Sequence, residues 1–247
     1  MKPQDQDWKE IINNEYTKKN FLDKFHLSIH EISELGIAWV ILCVAIVVIN
    51  ITRGIPIAQL TGSGLFNNFF IFVFVLGISY FTHELMHKFT AIKYGAKAEF
   101  KISPQALMFL AISIIIGFPI LSVGAVYWWG ESTSSIGIRG RVSAAGPISN
   151  LILVGIFITV QGIGYLFLEN LTDLGLILIV IGETAVWLNL FLGAFNLLPI
   201  GILDGAKVLE WSPRVWIGLV GSFLLLGLFI GDFMYYVVNI FGGFSFF

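Results

Sequence analysis

The residues of this chain best suited to chemistry are His83, Glu84 and His87, in the stretch HELMH. On an α-helix, positions i and i+4 share one face, so these two imidazoles can grip a single metal ion. Glu84 lies on the flank of that face, where a carboxylate can take a proton from activated water. Two ligands do not complete the set, because a catalytic zinc takes three protein ligands and keeps a fourth position open. His26 and His30 repeat the spacing beside Glu31 and Glu34, but they stand in a polar stretch and read as a solvated helix face. A carboxylate late in the chain is the better third ligand. It is Asp204 in NLLPIGILDGAK, residues 196–207, where Pro and Gly interrupt the helical pattern. The competing reading of HELMH is a polar cluster that only satisfies itself inside a helix bundle. A charged residue near a bilayer centre costs about 2.5–3.5 kcal/mol, so a cluster there calls for a reason.

The elements that must position these residues are membrane helices. Of 247 residues, 57% are hydrophobic and 12% are charged, against about 25% charged in a soluble domain. The mean hydropathy is +0.86, and apolar runs of spanning length recur from residue 36 onward. The reading is an α-helical polytopic membrane protein with about five to six transmembrane helices. Spans are expected at 36–52, 65–93, 142–168, 174–199 and 214–240. Residues 1–35 form a polar, amphipathic arm without the short apolar core of a secretory signal. Residues 36–247 form the membrane-embedded part, with a catalytic core at about 65–205. Cys43 stands alone inside the first apolar run, so no disulfide framework is expected. The net charge of −2 argues against a nucleic-acid partner.

Residues 96–141 break the pattern of spans. AEFKIS alternates like a strand, PQALMFLAISIIIGF is apolar but short for a crossing, and PILSVGAVYW is again strand-like. GESTSSIGIRGR then reads as a polar hairpin. With the N-terminus in the cytoplasm, every Lys and Arg except Arg53 falls on the cytoplasmic side. The same assignment makes 96–141 begin and end on that side, so its apolar part is expected to be re-entrant and to line a wet cavity. Within the spans, Glu183 is expected near mid-membrane, paired with Asn189 or Gln161 or facing the cavity, and Asp232 near the outer interface.

Three motifs, taken together, resemble the site-2 protease family of intramembrane zinc metalloproteases. They are H-E-x-x-H at His83–His87, A-G-P-x-x-N at Ala145–Asn150, and N-x-x-P-x-x-x-L-D-G at Asn196–Gly205, in the family's order. The resemblance spans roughly 65–205 and is closest to compact prokaryotic members, since no PDZ or CBS domain is recognisable in the sequence. It implies one zinc ion per chain held by His83, His87 and Asp204, with Glu84 as general base. It also implies that Asn150 and Asn196 lie close to the site, where they could orient substrate or bind the developing oxyanion. Helix-to-helix hydrogen bonding in lipid is the alternative for both asparagines.

The function so implied is intramembrane proteolysis of single-pass membrane proteins, in a prokaryotic cell membrane. A membrane helix hides its peptide bonds and must unwind locally before hydrolysis, and PILSVGAVYW offers an edge for the unwound segment to pair with. A catalytically silent scaffold that binds client helices is disfavoured by the intact Glu84. A metal transporter is disfavoured because the ligand candidates cluster on one side rather than along a pathway.

Overall fold

The computed structural model describes residues 25, 27–52, 63–117, 120–167 and 172–230. The expectations for the N-terminal arm before Phe25, for His26, for Arg53 with its linker, and for Asp232 lie outside those residues.

Long apolar helices dominate, as the composition requires. Helix α1 runs Ile29–Thr52 and α2 runs Ser63–Lys93. Strand β1 (Lys97–Ile102), helix α3 (Pro104–Ile116) and strand β2 (Gly124–Trp129) follow. A short 3-10 turn at Glu131–Ser134 leads into α4 (Ile136–Phe167) and α5 (Thr172–Asn196). Helices α6 (Asp204–Trp211) and α7 (Pro213–Phe229) complete the order. Among the described residues, α1, α2, α4 and α5 are the four helices long and apolar enough to cross a membrane.

Two expectations are corrected here. The first span begins at residue 29 rather than 36, because Ser28 accepts the Glu31 N–H at 3.0 Å and starts the helix early. The polar hairpin expected up to residue 141 ends sooner, since α4 begins at Ile136. Ser135 caps it by accepting the Ile138 N–H. Gly137 and Gly140 are helical, and Gly140 lets the Trp211 ring of α6 pack flat against α4. The expected last span is seen as the 17-residue α7, with 231–240 outside the described residues.

The irregular region 96–141 is a strand–helix–strand excursion. Helix α3 has 13 residues, about 20 Å at 1.5 Å per residue, which falls short of a hydrocarbon layer about 30 Å thick. Ser103 caps its start, and Gly117, with φ 67°, supplies the left-handed residue that ends it. Strands β1 and β2 pair antiparallel, from Lys97 opposite Trp129 to Ile102 opposite Gly124. The chain therefore leaves and returns at the same level.

One core holds α1, α2, α4 and α5 together with this excursion. It includes Leu42, Leu76, Tyr80, Phe100, Val154, Leu188 and Leu192, all almost fully buried. Tyr80 of α2 meets Phe100 of β1 edge-on, with ring centroids 6.2 Å apart, and so seats the sheet on the helix that carries HELMH. Trp39 of α1 donates its indole N–H to the Val73 carbonyl of α2 at 3.0 Å.

Candidate metal centre

His83 and His87 lie one turn apart on α2, with ring centroids 4.8 Å apart and both rings buried. Asp204 reaches them from the first turn of α6, where the positive end of the helix dipole favours a carboxylate. Helix α6 is held against α4 by Trp211, which lies against Gly140, by the Arg141 guanidinium 4.9 Å over the Trp211 ring, and by an Arg139–Glu210 pair at 3.2 Å. Asp204 Oδ2 lies 3.3 Å from His83 Nε2 and 3.2 Å from His87 Nε2. Donors about 2.1 Å from a tetrahedral zinc are separated by about 3.4 Å, so this spacing suits one ion. Burial alone would raise the Asp204 carboxyl. The His87 and His83 imidazoles, by charge and by hydrogen bond, outweigh it and hold the group well below the usual carboxylate range.

The remaining ring nitrogens are fixed. His83 Nδ1 donates to Asn150 Oδ1 at 2.7 Å, and His87 Nδ1 donates to the Val142 carbonyl at 2.7 Å. Each bond sets the tautomer that leaves Nε2 free to bind metal. Both partners belong to α4, beside Pro147, whose missing N–H relaxes the helix hydrogen bonding in that turn. Gly146 gives the close approach. A Cβ there would sit 2.5 Å from His87 Nε2 and 2.6 Å from His83 Nε2. The glycine of the AGP motif is therefore the cradle of the two imidazoles. Gly205 is required in the same way, since a Cβ there would lie 2.0 Å from the Leu197 carbonyl oxygen.

Three observations test the fit of a metal. The donor set is two imidazoles and a carboxylate, Gly146 leaves room for nothing larger than hydrogen beside the two Nε2 atoms, and Glu84 Oε2 is buried without a hydrogen-bond partner. A carboxylate oxygen left alone at such depth is costly unless a ligand or water meets it. Among the described residues, His83, His87 and Asp204 form the one cluster of this kind. His30 stands apart, 70% exposed and 3.8 Å from Glu34.

The triad opens on a cavity of about 270 Å³. Strand β2 forms one wall through Gly124, Val126 and Trp128, while Asn196, Arg139 and Lys207 line other parts. Asn196 donates Nδ2–H to the Leu192 carbonyl at 2.9 Å. Both amide ends of Asn150 are engaged, because its Nδ2 donates to Asn189 Oδ1 at 2.8 Å. Asn189 in turn donates to Ser79 Oγ at 2.9 Å and to the Ala185 carbonyl at 2.8 Å. With Asn189 engaged in this way, its pairing with Glu183, one of the alternatives raised for that carboxylate, is not formed. Sequence reasoning also missed the roles of Ser79, Arg139 and Lys207. Lys207 had a readable signal, standing one helical turn after Asp204 and hence on the same face. Ser79 had one too, one turn before His83 on the same face of α2; Arg139 had none, since only tertiary packing brings it to the cavity.

The chain is similar to two curated proteins. It is 34% identical over 155 residues to "Putative zinc metalloprotease MJ0611" of Methanocaldococcus jannaschii, covering 60% of this chain and 76% of that protein. It is 32% identical over 152 residues to "Putative zinc metalloprotease YwhC" of Bacillus subtilis, covering 56% and 67%. No family model matches, and no solved structure matches. With this likeness and a donor triad spaced for one ion, the chain belongs to the zinc metalloprotease family that these two proteins represent, and zinc is its cofactor.

Proposed function

We propose that the protein is an intramembrane zinc endopeptidase of the site-2 protease type. It hydrolyses peptide bonds within or beside the transmembrane helices of single-pass membrane proteins, in a prokaryotic cell membrane. The observation that carries this reading is the position of HELMH inside the apolar window Phe69–Lys93 of α2. At 1.5 Å per residue, His83 lies about 21 Å from Phe69 and His87 about 9 Å from Lys93. In a layer about 30 Å thick, the site falls within the hydrocarbon, nearer the Lys93 end. The Lys and Arg distribution makes that end cytoplasmic, and the cavity gives water its route.

When bound, zinc supplies Lewis-acid activation of water and of the scissile carbonyl. Glu84 takes the proton of the attacking water and delivers it to the leaving amide nitrogen, so that water is divided between a new carboxylate and a new amine. Asn150 acts as a positioning residue that holds the His83 ring. Asn196 is the remaining oxyanion candidate, with one Nδ2–H on the Leu192 carbonyl and a second available to the cavity it lines.

The substrate segment must be extended to be cut, and β2 lines the cavity where such a segment could pair. Phe100 and Ile102 donate their N–H groups away from β2, to α1. In an antiparallel ladder, their partners Val126 and Gly124 then also point their backbone groups out of the sheet, on the cavity side. Trp128 follows by alternation. A third strand added there would lie along the wall that faces Glu84.

The test is cleavage of a model single-pass substrate in detergent by the wild type, by Glu84→Gln and by a chelator-treated sample. Only the wild type should cut. Equal cleavage by all three overturns the reading. Cleavage of unfolded soluble peptides but of no membrane helix would leave a metalloprotease and remove the intramembrane role.

A further inference from the structure

A two-stranded sheet has two edges, and each is a template for another strand. The β1 edge is occupied by an unusual partner. Glu31 Oε1 accepts the Phe100 N–H at 2.9 Å, and Glu34 Oε2 accepts the Ile102 N–H at 2.7 Å. Alternate N–H groups on one side of a strand repeat about every 6.8 Å. Carboxylates at i and i+3 of a helix lie on one face about 5–6 Å apart, so one turn of α1 spans two rungs of the β1 edge. Ionised carboxylates only accept, and hydrogen bonds to charged acceptors are short and strong.

Glu31 has a second tie. Its other oxygen pairs with Lys88, and both side chains are almost fully buried. Lys88 follows His87 directly. One carboxylate thus connects the first helix, the sheet and the helix that carries the metal ligands. A buried pair of this sort gives little net stability against an apolar isostere, but it fixes geometry, since breaking it leaves a bare charge inside.

We infer that Glu31 and Glu34 are positioning residues for the substrate. They close the outer edge of β1, so that an extended segment can add only at β2, and they hold the β2 edge at a fixed distance from Glu84. This inference rests on the proteolytic reading above and assigns to α1 the choice of which bond is cut. The consequence concerns register. With the sheet anchored through Phe100 and Ile102, a segment paired to Val126 and Trp128 presents one particular peptide bond to the site. A loosened sheet presents several.

The test uses the full-length chain with Glu34→Ala and Glu34→Gln, because Glu31 also carries the buried ion pair with Lys88 and its loss risks the fold. Zinc content, amide exchange at Ile102, kcat and KM for a single-pass substrate, and the cut positions by mass spectrometry are measured together. In Glu34→Ala, exchange at Ile102 should rise about tenfold, the scale of one lost charged hydrogen bond. Zinc should stay bound, KM should rise about fivefold with kcat little changed, and cuts should spread to neighbouring bonds. Glu34→Gln should behave as wild type, since its amide oxygen still accepts. Unchanged exchange at Ile102 overturns the seal. An unchanged KM and a single cut site despite faster exchange overturn the positioning role, as does a Glu34→Gln that fails like Glu34→Ala. A wild type that cuts no single-pass substrate sinks the proteolytic reading and the positioning role with it, while the exchange contrast still reports on the seal.

Discussion

Replacing Gly146 by alanine drives a methyl group into the metal centre. The added Cβ would lie 2.5 Å from His87 Nε2 and 2.6 Å from His83 Cε1 and Nε2. Non-bonded heavy atoms of this kind prefer about 3.5 Å or more, so roughly 1 Å must open. The imidazoles have little freedom to give way, since Asn150 and the Val142 carbonyl hold them at 2.7 Å. Either those bonds break or α4 retreats from α2 by about the same distance. Metal sites tolerate about 0.2 Å of ligand displacement, several times less than the shift required. Loss of a single supporting partner costs about 10–100-fold in metal affinity, and this displacement disturbs two ligands together, so a loss of at least 100-fold is expected. Competition with a chromophoric zinc chelator in detergent measures it, and helix content by circular dichroism guards against simple unfolding. Gly155→Ala on the same helix is the control, because a Cβ there meets nothing within 4 Å. Its zinc affinity should stay at the wild-type level. A folded Gly146→Ala that binds zinc like the wild type would refute the placement of α4 against the imidazoles.

Further outcomes follow from the same geometry. Asn150→Leu should lower zinc affinity about 10–100-fold by freeing the His83 ring; an unchanged affinity in the folded variant would contradict the tautomer argument. Zinc affinity should fall on acidification, because the metal needs unprotonated imidazole nitrogens on His83 and His87. Asp204 is held below the usual carboxylate range, so its contribution persists above about pH 4 and is lost only as pH falls further. Loss of the Asp204 contribution already above about pH 5, read by comparing zinc affinities of the wild type and Asp204→Asn at stepped pH, would contradict it. Val126→Pro removes an N–H that points out of the sheet and leaves the β1 ladder intact. It should reduce cleavage of membrane helices while zinc stays bound, and unchanged turnover would argue against strand addition at β2. Proline at Gly124 is a poorer probe, since any Cβ there meets the Lys101 carbonyl oxygen at 2.5 Å and distorts the sheet itself.

Much of the site was legible in the sequence because it is local. The i, i+4 spacing of His83 and His87 places two imidazoles on one face of any helix, whatever surrounds it. The apolar runs announced helices of spanning length, since composition alone decides whether a segment can satisfy its backbone without water. Asp204 could be nominated because Pro199 and the flanking glycines mark a broken helix. What no local rule contains is distance between elements. That Asp204 stands 3.2–3.3 Å from both imidazoles depends on Trp211 packing against Gly140, a contact across α4 and α6. Asn150 read as a substrate-orienting or oxyanion amide, with helix bridging as the alternative, and only packing aimed its Oδ1 at His83. The helix start at Ile136 escaped notice because its glycines suggested a turn, yet they are needed for close approach rather than for a bend. Glu31 and Glu34 read as a solvated face beside His30, and in sequence nothing distinguishes a carboxylate facing water from one facing a strand edge. Sequence determined the ligand types and the membrane helices, since spacing and hydrophobicity act within one segment. The tertiary structure decided which polar groups meet, since burying a carboxylate or an amide requires a partner that another segment brings.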